Sequence, residues 1–214
     1  MCGRYTDRFK GPVAIPVLGL ELKPRTPRYN IAPSQQAPVV IMEGAKTAEM
    51  EAAWGLVPSW AKLDKRPQIN ARAETIASKP FFRTSFARHR CLVPADGWYE
   101  WQATATGKVP HFIHRPDDSM FWFAGIWSGV KEKPTYAIIT VEASEDLKWL
   151  HGRMPAVLAD SELPQWLASD TSHETTQTML HPAPVGRFKT YSIAKAVNNP
   201  RNDTDALIKP VDSN

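Results

Sequence analysis

A series of short strand-like runs constrains the fold more than any other feature of this sequence. The runs are rich in β-branched and aromatic residues, and turn residues separate them. They lie at residues 38–42, 48–54, 90–94, 111–114, 120–127, 135–141 and 187–193. The first two flank a Glu43-Gly44 turn and predict a hairpin.

Helical patterns are fewer and shorter than the strand-like runs. They predict helices at residues 81–88, 144–150, 161–167 and 173–180. Strands in meander order, without a strand–helix–strand rhythm, predict an α+β fold built mainly on antiparallel sheet with a few peripheral helices.

Composition is consistent with one domain over residues 1–214, with a frayed tail after about residue 210. Nineteen prolines against 11 glycines indicate many short elements and long ordered connections. No apolar run is long enough to span a bilayer and no signal peptide is visible, so we expect a cytoplasmic protein. The net charge of +4 permits an anionic partner without requiring one.

The two cysteines make neither a disulfide framework nor a C-x-x-C metal motif, so we expect no metal and no cofactor. Cys91 lies in an apolar run and is predicted to be a buried structural thiol. Cys2 is different. If Met1 is removed, Cys2 carries an α-amine and a thiol on adjacent carbons, and this pair can condense with an aldehyde to a thiazolidine. The alternative is an ordinary N-terminus whose second residue is Cys.

Aromatic and proline residues form two unusual segments, 28–33 and 54–60. Asn30 and Pro33 suit a tight turn, so structure alone could explain the first. In the second, Trp54 and Trp60 flank a Gly and a Pro. They could anchor a loop, but we favour Trp60 as a platform on which a nucleobase stacks.

Polar residues alternate in segment 69–75. Asn70 could hold a carbonyl or a developing oxyanion. Arg72 would project to the same side of an extended chain and could clamp a phosphate. The competing interpretation is a surface pair between Arg72 and Glu74, which would contribute little energy.

Two further residues could move protons. Glu100 lies among aromatic residues, where desolvation would raise its carboxyl pKa; the alternative is an exposed strand Glu. His151, beside Gly152, could transfer protons or be structural. Thr140 could offer a hydroxyl to a phosphate. Taken together, these residues fit covalent chemistry on a substrate that bears phosphates and rings.

These segments, in order, resemble the signatures of the SRAP family, the SOS-response-associated peptidase proteins. The matching residues are 1–5, 28–33, 54–60, 69–75, 95–101, 151–155 and 197–202. The resemblance implies a distorted, barrel-like antiparallel core and autocatalytic removal of Met1. It also implies that the protein binds single-stranded DNA and traps abasic sites as a DNA–protein crosslink through Cys2. We expect a monomer without a membrane partner.

The resemblance also implies roles for single residues. Asn70 would hold the opened sugar or the Cys2 amine, Glu100 would assist Met1 removal and ring closure, and His151 would move protons at the sugar. Residues implied to contact DNA are Arg4, Pro33, Trp60, Arg72, Lys79, Arg83, Trp101, Thr140 and Arg153. Gly152 departs from the family pattern, in which a side chain often stands between the His and the Arg.

Other functions remain open from sequence. Glutamine amidotransferases with an N-terminal nucleophile also begin Met-Cys-Gly, and their processed Cys attacks an amide. A cysteine-type peptidase would use the same Cys, His and Glu. A plain single-strand-binding module would leave Cys2, Glu100 and His151 without a role.

Overall fold

The computed structural model describes residues 2–61, 66–129 and 133–211. The strands are β1 (Tyr5–Asp7), β2 (Val13–Ile15), β3 (Leu20–Leu22), β4 (Arg28–Ile31), β5 (Gln36–Glu43), β6 (Lys46–Trp54), β7 (Asn70–Arg72), β8 (Arg90–Ala95), β9 (Gly97–Thr104), β10 (Gly107–His114), β11 (Phe121–Ser128), β12 (Thr135–Glu142), β13 (Arg153–Pro155), β14 (Val157–Leu158) and β15 (Lys189–Ser192). The α-helices are α1 (Arg83–Arg88), α2 (Leu163–Leu167) and α3 (His173–Thr178). Four short 3-10 helices cover Pro16–Leu18, Asp160–Glu162, Lys195–Asn198 and Asp205–Ile208.

Five strands of the larger sheet pair in a ring. The order runs β12, β6, β5, β8 and β11, and β11 returns to β12. All these pairings are antiparallel except β12 with β6, where Thr135 and Tyr136 lie beside Ala53 and Trp54. The ring is therefore closed by a short parallel contact, which confirms the predicted distorted, barrel-like core in a mainly antiparallel α+β fold.

A second sheet, in the order β15, β10, β9, β1 and β4, packs against this ring through aromatic side chains. Tyr5 of β1 meets Trp54 edge to face at 5.2 Å between ring centroids. Its hydroxyl shares a buried hydrogen bond of 2.6 Å with the hydroxyl of Tyr136. Trp98 of β9 packs on Phe123 of β11 in the same way. These contacts fix the first strand, and with it the N-terminal residues, inside the protein.

The hairpin is confirmed by β5 and β6, and the other strand-like runs are confirmed by β8, β10, β11, β12 and β15. The helices at 81–88, 161–167 and 173–180 are confirmed with shorter bounds. Cys91 is buried, as predicted. Residues 212–214 of the tail lie outside the described part of the chain, whereas the Val211 amide still donates to Ser192.

Two predictions about the fold are wrong. Residues 144–150 form turns because their hydrogen bonds from Leu147 and Lys148 both end on the Ser144 carbonyl and do not continue as a helical ladder. Meander order also fails, since β1 lies between β9 and β4, and β8 lies between β5 and β11. The short strands β1, β4, β7, β13 and β14 carry no sequence pattern long enough to predict.

Gly97 has no room for a side chain. A Cβ there would lie 2.3 Å from the Phe112 ring and 3.0 Å from the Ile113 carbonyl oxygen, and Phe112 is fully buried. We expect Gly97→Ala to destabilise the protein by about 1–3 kcal/mol or more, measured by denaturant unfolding. Gly152→Ala is the control, because nothing lies within 4 Å of its Cβ position. Equal stability of the two variants would contradict this packing.

Candidate active site

Cys2 lies three residues before the start of β1 and is fully buried. Its thiol donates to the Arg4 carbonyl at 3.7 Å. Its own carbonyl accepts a 2.8 Å hydrogen bond from Asn70 Nδ2. Burial raises the pKa of the Cys2 thiol, so the sulfur is protonated at neutral pH and needs a base before it can attack.

An open cleft of about 420 Å³ lies next to these N-terminal residues. Its walls come from the N-terminus, from the turn after β4, from the hairpin of β9 and β10, and from the segment before β13. The lining residues are Gly3, Arg4, Pro33, Glu100, Trp101, Lys108 and His151. The fold thus brings Glu100 and His151, far apart in sequence, to the same cleft beside Cys2.

Glu100 is a buried carboxyl on β9, only 4% exposed. The interpretation as an exposed strand residue is therefore wrong. Burial raises the pKa of Glu100 from its ordinary 4.5 to about 7. At neutral pH the group is close to half ionised, which suits a residue that both accepts and donates a proton.

His151 follows the turns of residues 144–150 and is partly buried. Its Nδ1 accepts a 2.9 Å hydrogen bond from the Arg153 backbone amide. The proton of the neutral ring therefore resides on Nε2, which becomes a donor. Burial lowers the pKa of His151, so the neutral ring predominates at neutral pH.

Asn70 and Arg72 occupy alternate positions of β7, which runs parallel to β12. They project to one side, as predicted. Arg72 is exposed and, among the described residues, has no ion-pair partner. Glu74 binds Arg153 instead, through two contacts of 2.6 and 3.0 Å, so the alternative pairing of Arg72 with Glu74 is wrong.

Two residues that were predicted to contact phosphates, Arg4 and Thr140, are hydrogen-bonded to other parts of the protein. The Arg4 guanidinium donates to Asn30 Oδ1 at 3.1 Å, to the Val197 carbonyl at 2.7 Å and to the Asn198 carbonyl at 3.3 Å. Thr140 is fully buried, and its hydroxyl donates to the Ala71 carbonyl. A direct contact between Thr140 and a phosphate is therefore not available in this arrangement.

Arg153 connects Thr140 to the surface. Its Nη2 donates to the Thr140 carbonyl at 2.5 Å and lies 3.3 Å from the hydroxyl. Thr140 therefore positions Arg153, mainly through its backbone carbonyl. The predicted DNA contact of Arg153 stays a prediction.

The predicted aromatic platforms lie in two places. Trp60 is 59% exposed and meets Phe81 edge to face at 6.5 Å. Lys79 and Arg83 are exposed on the same segment as Phe81. Trp101 and Pro33 instead line the cleft, where Trp101 Nε1 donates to Asn198 Oδ1 at 2.8 Å.

Sequence reasoning missed one residue near the site and misplaced another. Lys108 lines the cleft because β10 pairs with β9, a register that the sequence does not reveal. Asn30 was expected in a tight turn, but it lies on β4 and is fully buried, where its Nδ2 donates to the carbonyls of Val197, Asn199 and Asn202 at 2.9–3.2 Å. It holds the late segment of the chain against the N-terminus.

Within the described ranges, no three His, Cys, Asp or Glu residues are grouped so that they could hold a metal ion. No helix in those ranges is long and apolar enough to cross a membrane.

Residues 1–200 match the model of the SOS response associated peptidase (SRAP) family. The abasic site processing protein YoaM of Bacillus subtilis is 38% identical over 97% of both chains. YoqW of the same organism, also named an abasic site processing protein, is 36% identical over 86% of both chains. A crystal structure of a Bacteroides thetaiotaomicron protein shares the fold with a TM-score of 0.75, at 25% identity over 86% of this chain and 85% of its own.

The raised pKa of Glu100 predicts a pH-dependent cost of folding. Ionising a carboxyl that is buried costs free energy, so stability falls as pH rises from about 4.5 to 7. Glu100→Gln removes this cost. The free energy of unfolding of the variant, relative to that of the wild type, should therefore rise by up to roughly 3 kcal/mol between pH 4.5 and pH 8. Urea unfolding of both proteins at both pH values measures this difference in unfolding free energy. A difference that does not change with pH would contradict the buried, titrating carboxyl.

Proposed function

Because the chain belongs to the SOS response associated peptidase (SRAP) family, we propose that it processes abasic sites in single-stranded DNA through Cys2. The observation that carries the proposal is the position of Cys2, fixed by Asn70 beside a cleft lined by Glu100 and His151. The names of YoaM and YoqW as abasic site processing proteins support it.

The first step is hydrolysis of the peptide bond between Met1 and Cys2. Glu100, with its pKa of about 7, takes a proton from the attacking water and returns it to the departing Cys2 amine. Asn70 holds the Cys2 carbonyl and so keeps the new N-terminal residue in place. The products are free methionine and an N-terminal Cys2.

The second step joins Cys2 to the aldehyde of the opened abasic sugar. The amine attacks the carbonyl carbon and gives an imine with loss of one water. The thiol then adds across the C=N bond; a C–S bond forms, and the sulfur proton passes to nitrogen. The ring closure involves no oxidant and no reductant. Since burial raises the pKa of the thiol, Glu100 is placed to relay its proton.

His151 acts at the sugar. Its Nε2–H, defined by the bond from the Arg153 amide to Nδ1, donates a proton to the ring oxygen as the C1–O bond of the sugar breaks, and the C1 hydroxyl returns its proton to Nε2 through water, which leaves the aldehyde. Reversal of the crosslink retraces the closure: a proton returns from nitrogen to sulfur as the C–S bond breaks, and water then hydrolyses the imine to the aldehyde and the free Cys2 amine. His151 exchanges protons with the sugar in this slow, lyase-like reversal. Met1 removal and reversal are the peptidase and lyase components of the proposal.

The DNA strand reaches this chemistry along a basic and aromatic surface. Arg72 neutralises a phosphate, Trp60 stacks a base, and Lys79 and Arg83 extend the positive surface beside it. In the cleft, Pro33 and Trp101 kink the strand, and Arg4 adds positive charge near its phosphates. Arg153 adds a second positive charge beside the cleft, although both guanidinium groups also bind protein acceptors. We further propose that the protein is a monomeric single domain. It would reside in the cytoplasm and associate with the nucleoid when it binds DNA.

The decisive experiment incubates the purified protein with single-stranded DNA that carries one abasic site and then denatures the mixture. We expect a covalent adduct with the wild type, no adduct with Cys2→Ala, and none with intact DNA. Gel mobility and mass spectrometry measure the adduct, and its mass equals protein without Met1 plus DNA minus one water. Absence of an adduct together with hydrolysis of glutamine or casein would overturn the proposal in favour of an amidohydrolase or a peptidase.

Arg72 gives a test of DNA binding that is independent of the covalent step. Affinity for intact single strands should fall as salt rises, because bound phosphates release counterions. Arg72→Ala should reduce the slope of log K against log salt by about 0.7. Lys46→Ala, at an exposed position lining a different cleft, removes the same charge and should leave the slope unchanged. An unchanged slope for Arg72→Ala would remove Arg72 from the phosphate contacts.

A further inference from the structure

The guanidinium of Arg153 binds two acceptors that differ in how easily they can leave. Its Nη1 and Nη2 donate to the two carboxylate oxygens of Glu74 at 2.6 and 3.0 Å. Nη2 also donates to the Thr140 carbonyl at 2.5 Å. Thr140 is fully buried on β12, so the sheet fixes its carbonyl, whereas the Glu74 side chain is 54% exposed. The Glu74 carboxylate is therefore the acceptor that can be exchanged.

The backbone that carries Glu74 is fixed, so an exchange requires only the side chain to move. The Ala73 amide donates to the Thr140 carbonyl at 3.0 Å. The Ala73 carbonyl accepts a hydrogen bond of 3.1 Å from Gln177 Nε2. The Glu74 carboxylate can thus leave Arg153 by rotation about its own side-chain bonds, while the Thr140 carbonyl keeps the guanidinium in place.

A phosphate could bind the same two donors. Carboxylates and phosphates both offer paired oxygens to the planar fork of a guanidinium, so one can replace the other on Arg153. Hydrogen bonds from Arg153 lower the pKa of the Glu74 carboxyl, and the nearby charge of Arg72 lowers it further. Glu74 is therefore ionised at neutral pH and interacts with both arginines.

We propose that Glu74 occupies, on Arg153, the position that a phosphate of the DNA strand takes, and that binding exchanges one anion for the other. The inference rests on the proposed function, because it requires a strand at this cleft. Each bound strand has to displace the carboxylate, so Glu74 lowers the reversible affinity for single strands. It thereby limits the time that the protein spends on undamaged DNA, whereas the covalent bond to Cys2 retains a strand with an abasic site.

The test measures the binding of intact single strands, which carry no aldehyde and form no crosslink, by fluorescence anisotropy at several salt concentrations. Glu74→Gln keeps the shape of the side chain and removes its charge. We expect the variant to bind roughly 2- to 10-fold more tightly at low salt, because the strand no longer displaces a carboxylate. The slope of log K against log salt should become steeper by about 0.7, since one more phosphate is neutralised without a competing anion.

Two controls separate exchange on Arg153 from a general effect of negative charge. Glu21→Gln removes the same charge from an exposed position on β3, which does not line the cleft, and should leave the affinity and the slope nearly unchanged. A double-mutant cycle then repeats Glu74→Gln in the Arg153→Ala background. The gain in affinity should be smaller there, because the exchange requires the guanidinium. A gain at least as large without Arg153 would assign Glu74 a general repulsion of DNA and overturn the exchange.

The direction of the change distinguishes exchange from a structural role. Weaker binding by Glu74→Gln would mean that Glu74 only positions Arg153, and unchanged binding would mean that it does not compete with the strand; either result overturns the exchange. Thermal unfolding checks that the variant folds, which we expect because an exposed ion pair contributes little to stability.

The adduct assay separates failure of the exchange from failure of the proposed function. If either contrary result is found while the wild type forms an adduct with abasic DNA, the exchange fails and the proposed function stands. If the wild type binds no single strand and forms no adduct, both fail together.

Discussion

The packing of β1, a strand of the second sheet, against the ring of strands is the constraint on which the rest of the structure depends. Tyr5 contributes a hydroxyl bond to Tyr136 and an aromatic contact to Trp54, both in the ring of strands, while its backbone pairs with β9 and β4. Because Cys2 lies three residues before Tyr5, fixing β1 also fixes the thiol. Residues near an N-terminus are normally mobile, but Cys2 is buried and held in place here.

The buried position has a chemical cost and a chemical use. Removing Cys2 and Glu100 from water raises the pKa of both groups. The sulfur therefore keeps its proton, and the pKa of the Glu100 carboxyl moves close to neutral pH. His151 shifts in the opposite direction and remains neutral. The same desolvation thus keeps the thiol protonated, leaves Glu100 able to exchange a proton near neutral pH and keeps His151 neutral with a proton on Nε2.

The sequence predicted what depends on local pattern. Long β-branched runs identified the hairpin and most core strands, and the aromatic neighbours of Glu100 indicated its desolvation. The order of the strands was not accessible, because the place of β1 beside β9 depends on residues about ninety positions apart. For the same reason Lys108 escaped notice and Asn30 was assigned to a turn. The helix predicted at 144–150 failed because capping and apolar spacing do not guarantee consecutive backbone bonds.

The bonds from Arg4 and Asn30 to residues 197–202 have a consequence for biosynthesis. They join residues that lie 167 to 194 positions apart, so a growing chain lacks the carbonyl partners of Arg4 until residues 197 and 198 have been synthesised. The segment that carries Cys2 is thus translated well before the segment that holds it. A chain that stops before residue 197 would leave Arg4, two residues from Cys2, without these carbonyl partners.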